Sequence, residues 1–154
     1  MTSGARPILG LLLYLAIVAL VAWFCVGCGP QPDYTTRHGI DVYEQGAEAD
    51  QADIEEITRV ALDLWPTDPA GLVLRLRAEP IQYAGDSHEY YGTFAKGTLT
   101  VWAEQHDCFA RGTYGHELLH AISWIETGDA DRRHEVVGPL DRELRRQTIG
   151  WMCP

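Results

Sequence analysis

Three residues in the segment Gly115-His116-Glu117-Leu118-Leu119-His120 could bind and use a metal ion. His116 and His120 are four residues apart, so both imidazoles would project from one face of a helix. Two neutral imidazoles at this spacing can bind one divalent metal, usually zinc. Glu117 would stay off the metal and transfer a proton from the activated water to the leaving group. The segment therefore predicts a hydrolytic metal site.

The residues around this motif have the pattern of a buried helix. Neither Pro nor Gly interrupts Glu117 to Thr127, and Gly128 supplies a helix stop. Four apolar residues follow helical spacing: Leu118, Leu119, Ile122 and Ile125. The alternative is a core helix whose two His are ordinary core or surface residues. That alternative is weaker, because burying two His and a Glu is costly unless they have a role.

A zinc site with an open coordination position needs a third protein ligand. His134 fits best, because the chain leaves the helix at Gly128 and the polar residues 129–133 can fold back over the helix end. Imidazole also suits zinc, which would give a three-His site with bound water. Asp131 could orient one of the imidazoles. The competing interpretation of His134 is a solvated loop histidine.

Two carboxylates are the other candidates for the third ligand. Glu135 is the second choice, since a His-His-Glu set also suits zinc. Glu126 ranks below it. Six residues past His120 on an unbroken helix is a rotation of about 600°, which turns Glu126 away from the metal face.

The remaining sequence predicts the elements that would position these residues. Asp50 is expected to cap a helix that ends before Pro66. Residues 107–114 are expected to be a loop. The other predicted elements are a strand at Ile40–Tyr43, a strand at Leu72–Arg77, a hairpin of Tyr90–Ala95 with Thr98–Ala103, and a final helix at Pro139–Trp151 with three outward Arg.

This order, with His116, Glu117 and His120 on one helix, resembles the zincin metallopeptidases. The resemblance implies an α+β fold, in which a small, twisted, mostly antiparallel sheet packs on the active-site helix. It also implies a zinc ion as cofactor and a peptide or protein as substrate. By the same resemblance, the strand at Thr98–Trp102 would run along the substrate. Tyr114 and Tyr91 are conceivable donors to the oxyanion.

The N-terminal residues look like a targeting segment. Arg6 precedes an apolar run from Ile8 to Phe24, and Gly27-Cys28 matches a bacterial lipoprotein signal in which Cys28 is lipidated. Cys25 stands where that signal usually has Leu, so an uncleaved anchor helix is the alternative. A buried core helix is a third, weaker interpretation. Both main interpretations tether the protein to a membrane, outside the cytoplasm.

Two domains are therefore expected: 1–32 as signal or anchor plus tether, and 33–154 as the metallopeptidase domain, with an extended linker over residues 29–38. The chain has 22 Asp and Glu against 12 Lys and Arg, a net charge of −10, which argues against nucleic acid as a partner. Cys108 and Cys153 could form a disulfide in an oxidising compartment. A Cys ligand to the metal is the alternative.

The sequence as a whole predicts a membrane-tethered, zinc-dependent hydrolase, with a peptidase as the favoured type. The competing hypothesis is a catalytically inactive zincin-like lipoprotein that binds metal and has an interaction or structural role. The number of protein ligands separates the two hypotheses, because a structural zinc site has four and a catalytic one keeps an open position.

Overall fold

The computed structural model describes residues 14–18, 29–47, 49–82, 87–104, 107–131 and 133–152, with backbone only at 107–111 and 149–152. The chain divides into two compact units, Met1–Gln31 and Pro32–Pro154. In the first unit, residues 14–18 are helical. The predicted lipidation site Cys28 lies outside the described residues, as does Cys25. None of the helices described here has the length and apolar character needed to cross a membrane.

The second unit contains the sheet and helices that build the site. Its described helices are α1 (Gln51–Leu64), α2 (Asp107–Thr127) and α3 (Val137–Met152). Its described strands are β1 (Tyr34–Thr35), β2 (Asp41–Gln45), β3 (Val73–Arg77), β4 (Ile81–Gln82), β5 (Glu89–Tyr90), β6 (Gly92–Ala95) and β7 (Thr100–Glu104).

The main sheet has five strands in the order β1-β2-β3-β7-β6, and β4 and β5 form a separate pair. The three central strands β2, β3 and β7 are parallel, whereas β1 and β6 pair antiparallel at the two ends. The predicted α+β class is confirmed, but the mostly antiparallel sheet is wrong. Helix α1 connects β2 to β3, and a helical crossover of this kind returns the chain in the same direction.

Helix α1 forms where its capping and apolar residues predict it. The carboxylate of Asp50 accepts a hydrogen bond from the backbone N–H of Ala52 at 2.8 Å, and the helix ends at Leu64, just before Pro66. The buried apolar face of α1 consists of Ile54, Ile57, Val60 and Ala61. This face packs against α2 and α3, so α1 supports the helices that carry the candidate site.

Helix α2 packs against β6 and β7 of the sheet and against α1 and α3. Leu118, Leu119 and Ile122 are completely buried, as the predicted apolar face requires. They meet the central strands, where Leu74 and Val101 are at most 1% exposed. Burial of this apolar surface is the main stabilising contribution to the helix-on-sheet packing. It also fixes the direction in which the polar side of α2 faces.

Several predicted boundaries differ from the structure. The folded unit begins before residue 38, because Asp33 donates its backbone N–H to the carbonyl of Val42 and β1 pairs with β2. Helix α2 begins at Asp107, so the predicted loop 107–114 is helical. Helix α3 begins at Val137, ahead of Pro139, which its first turn tolerates. The predicted hairpin is present as β6 and β7.

Candidate metal centre

The structure brings His116, His120 and His134 together as a group that could hold a metal ion. The Nε2 atom of His120 lies 3.1 Å from that of His116 and 3.2 Å from that of His134. The third side of this triangle, between His134 and His116, is 3.2 Å. The near-equal sides mean that the three rings point their Nε2 atoms at one common place.

In two of these histidines, the group that faces Nδ1 indicates which ring nitrogen carries the proton. Nδ1 of His120 lies 2.5 Å from the carbonyl oxygen of Ala130, which can only accept a hydrogen bond. Nδ1 of His116 faces Oδ2 of Asp141 at 3.5 Å, long for a hydrogen bond but within ion-pair range. Both partners favour a proton on Nδ1, so in the neutral rings the Nε2 atoms carry lone pairs.

These lone pairs give a test of whether a metal fits. Lone pairs that converge at about 3 Å repel one another unless a cation lies between them. Zinc–nitrogen bonds of about 2.0–2.1 Å at tetrahedral angles place ligand nitrogens about 3.3 Å apart. The observed separations of 3.1 and 3.2 Å are close to this value. The donor set is also one that zinc prefers. The three residues therefore fit a zinc ion.

His134 reaches the helix histidines because α2 stops abruptly. Gly128 has a positive φ of 74° and donates its N–H to the carbonyl of Trp124, which ends the helix. Ser123 then donates its hydroxyl to the carbonyl of Asp129 at 2.7 Å, which holds the departing chain against the helix. This fold-back places Ala130 beside His120 and His134 over the helix face.

Asp131 organises the same loop from its other side. Its carboxylate accepts hydrogen bonds from the backbone N–H groups of Glu135, Val136 and Val137 at 3.0, 2.7 and 2.6 Å. The prediction that Asp131 orients an imidazole thus needs correction, since the Ala130 carbonyl takes that role. Asp131 instead binds the backbone N–H groups that lead into the first turn of α3. Asp131 and His134 both have a positive φ, 48° and 58°, which residues other than glycine rarely adopt.

Asp141 on α3 is a site residue that the sequence prediction missed. Its carboxylate lies between Nδ1 of His116 and the guanidinium of Arg145, whose Nε is 2.9 Å from Oδ2. Burial alone would raise the pKa of Asp141, but these two partners outweigh it and lower that pKa. The pKa of His116 is raised, first by Asp141. The spacing of Asp141 and Arg145, one helical turn apart, is the signal that could have revealed the pair.

Glu117 lies beside the ligand group in a partly buried position. Burial raises its pKa to about 7, with the charge of His116 opposing and that of Asp141 adding to the shift. Gly92 of the edge strand covers it closely, since a Cβ there would lie 2.8 Å from Cγ of Glu117. A carboxyl group with a pKa near neutrality can both accept and donate a proton at physiological pH. A nearby dication would lower this pKa.

An open cavity of about 820 Å³ gives access to these groups. Its volume is in the range of small-molecule and peptide sites. Strand β6, helix α2 and the loop after α2 supply most of its walls. The lining residues are Tyr90, Thr93, Phe94, Lys96, His116, Glu117, His120, Trp124, Gly128, Asp129, Ala130 and His134.

The other ligand candidates lie elsewhere. The carboxylate of Glu126 accepts a hydrogen bond from the hydroxyl of Thr67, outside the group. Glu135 is exposed and joins the site only through its backbone N–H on Asp131. The predicted pairing of Cys108 with Cys153 concerns side chains outside the described part of the chain.

Three predicted substrate contacts also change. Tyr114 cannot act as an oxyanion donor, because it is 1% exposed and its hydroxyl bonds to Thr58 at 2.7 Å. Tyr90, rather than Tyr91, lines the cavity. Strand β7 lies inside the sheet, so the strand along the cavity is β6 and not the predicted Thr98–Trp102.

No family model, curated protein or solved structure matches this chain.

Proposed function

We propose that this protein is a zinc-dependent hydrolase of the zincin type that cleaves peptide bonds. The convergence of three imidazole Nε2 atoms beside the partly buried Glu117 carries the proposal. His116, His120 and His134 hold the metal. Asp141 and the carbonyl of Ala130 keep two of the rings in the tautomer that binds it.

A zinc ion held there would polarise a carbonyl and lower the pKa of bound water to about 7. Glu117 accepts the proton of the attacking water and returns it to the leaving nitrogen. Its position next to the ligand His116, on the wall of the cavity, suits both transfers. Gly92 packs directly against the side chain of Glu117 and limits the positions that this side chain can take.

Two observations favour a catalytic over a structural metal site. Among the described residues, no fourth side chain of ligand type joins the three histidines. The ligand group also lines a cavity, which leaves room for water and substrate at a fourth position. An open fourth position also gives Glu117, next to the ligands, a water molecule from which it can accept a proton.

The edge strand beside the cavity supports a peptide substrate. Strand β6 is the last strand of the sheet order and contributes Thr93 and Phe94 to the cavity wall. An extended peptide can lie alongside such a strand, with pockets for alternate side chains. The predicted tether, through lipidated Cys28 or an uncleaved anchor, would expose this cavity outside the cytoplasm.

The test is cleavage of a mixed-sequence peptide pool by the zinc-loaded full chain, with products identified by mass spectrometry. Glu117→Gln should keep its zinc and lose activity by about 10²–10⁴-fold, because proton transfer contributes rate factors of that size. Glu143→Gln, on the outer side of α3, serves as the matched control and should cleave normally. A parent chain with full zinc occupancy that cleaves nothing would favour the catalytically inactive alternative.

A further inference from the structure

We propose that the cavity contains a carboxylate subsite formed by Lys96 above Trp124. The substrate would then be a peptide that carries a negative charge near the scissile bond. This inference rests on the proposed function for the nature of the substrate. It goes beyond that function by naming the group that the cavity selects.

The first argument is the position of the charge. Lys96 is the only lysine in a chain of net charge −10, and it lines the same cavity as the three histidines. Among the ion pairs between described residues, none involves Lys96. Its ammonium group is therefore available to an anion that enters the cavity.

The second argument is the way in which Lys96 is held. Its Nζ lies 4.9 Å from the ring centroid of Trp124, a cation–π distance. Trp124 is one helical turn beyond His120, so it stands on the same side of α2 as the metal ligands. The ring attracts the exposed ammonium group to this position, and this lowers the entropy cost of binding a partner.

The third argument is the aromatic lining of the same cavity. Phe94 and Trp124 both contribute to its wall, beside Lys96 and the three histidines. Its acidic side chains are Glu117, at the ligand group, and Asp129, on the loop after α2. A bound peptide can place a carbonyl at the histidines, an apolar side chain on the aromatic wall and a carboxylate at Lys96.

The carboxylate can come from two sources: the C-terminus of a peptide, or an acidic side chain. Both present the same planar anion to the ammonium group. Peptides of one to three residues capped with a hydroxamate, which binds metals directly, separate these sources. Each length is made with a free C-terminal carboxylate, with a C-terminal amide, and as an amide bearing a Glu or Gln side chain.

The affinity of each inhibitor is measured for four zinc-loaded chains that all carry Glu117→Gln. One keeps Lys96, and the others carry Lys96→Met, Lys96→Arg or Lys96→Glu in addition. At one length, a carboxylate should tighten binding roughly tenfold, as expected for a hydrogen bond between charged groups. Lys96→Met should remove this gain, and Lys96→Arg should keep it. Lys96→Glu should make the carboxylate unfavourable. Probes without a carboxylate should bind all four chains alike.

The outcomes separate this inference from the proposed function. Equal affinity for carboxylate and amide probes at every length, or a carboxylate gain that survives in Lys96→Met, would overturn the subsite. Failure of the whole hydroxamate series to bind a chain that contains zinc would count against an accessible catalytic metal. A gain with the free C-terminus alone identifies peptide ends as the substrate, and a gain with Glu identifies acidic side chains.

Discussion

At the scale of residues, the site depends on the direction of lone pairs. A carbonyl behind His120 and a carboxylate behind His116 favour a proton on each Nδ1, so the Nε2 lone pairs face each other near His134. Without a cation, this arrangement is electrostatically unfavourable. The groups behind the rings therefore matter to the metal almost as much as the ligands themselves.

Asp141→Asn tests this dependence. The amide removes the negative charge behind His116 and can present an N–H where an acceptor is needed. Zinc affinity should fall about 10–100-fold, the range measured for such partners in other zinc proteins. Competition with a chelating dye measures the affinity. The control Glu143→Gln changes a carboxylate on the same helix that pairs with Arg146, and it should leave the zinc affinity unchanged. An unaltered affinity in Asp141→Asn would show that Asp141 does not support the ligand.

At the scale of elements, two joints between helices and strands position the site residues. The first is the loop between α2 and α3, where Asp131 holds three backbone N–H groups and His134 follows in a left-handed conformation. The second is the contact of β6 with α2, where Gly92 lies over Glu117. Both joints involve only a few atoms, so single substitutions can test them.

Asp131→Ala should destabilise the chain by about 1–2 kcal/mol at pH 7, the cost of losing a helix cap. Burial is the largest single influence on the pKa of Asp131 and raises it, but the three backbone N–H bonds together outweigh burial and lower this pKa below the ordinary value of 3.8. Its contribution is complete above that value and disappears as the pH falls through the lower, folded pKa.

Urea unfolding in the presence of a chelator measures this effect. The difference between parent and Asp131→Ala should be present at pH 7 and shrink at pH 3. The surface substitution Asp63→Asn, which removes an exposed ion-pair partner of Arg59, should cost less. A difference that persists unchanged at low pH would mean that the carboxylate charge is not what holds the loop.

Gly92→Ala should reduce catalysis more than metal binding. The new methyl group would lie 2.3 Å from Cγ2 of Thr113 and 2.8 Å from Cγ of Glu117, so one of these side chains or the strand must shift. Overpacking of this kind costs about 1–3 kcal/mol of stability. A shift of about 1 Å at Glu117 can lower kcat about 100-fold.

The matched control for this substitution is Gly97→Ala, in the hairpin turn, where an added Cβ meets nothing within 4 Å. Steady-state kinetics and zinc content are compared for both variants. Zinc should remain near one per chain in each. Normal kcat in Gly92→Ala would show that the close packing over Glu117 has no role in catalysis.

The same joints show what the sequence could predict. His116, Glu117 and His120 were identifiable from helical spacing, and His134 from the helix stop at Gly128. Asp141 was not, because a residue on the next helix has no fixed spacing to the motif. The predicted direction of the strands was also wrong, because burial of one face produces the same alternation of residues in parallel and antiparallel strands.

At the scale of the whole molecule, the metal group connects helix α2 to the loop that precedes α3. Helix α3 also packs on α1, so its position affects the entire helical layer. A ligand that binds only the folded arrangement stabilises it by mass action. The folded unit should therefore be more stable with zinc than without.

Thermal unfolding of the full chain measures this coupling. Zinc at 100 times its dissociation constant should add about 2.7 kcal/mol to the free energy of unfolding, and a chelator should remove this gain. The triple substitution of the three histidines by Ala should unfold at the same temperature with and without zinc. A parent chain that zinc does not stabilise would indicate that the folded state has no preference for binding it.

The most direct test of the account is zinc K-edge X-ray absorption on the purified full chain, with zinc content measured in parallel. The account predicts one zinc per chain, three imidazole nitrogens at about 2.0–2.1 Å and one further oxygen ligand. His134→Ala should lose one imidazole and weaken zinc binding more than 100-fold or so, whereas Glu135→Gln should match the parent. Absence of zinc, a sulfur ligand, or an unchanged spectrum in His134→Ala would contradict the three-histidine open centre.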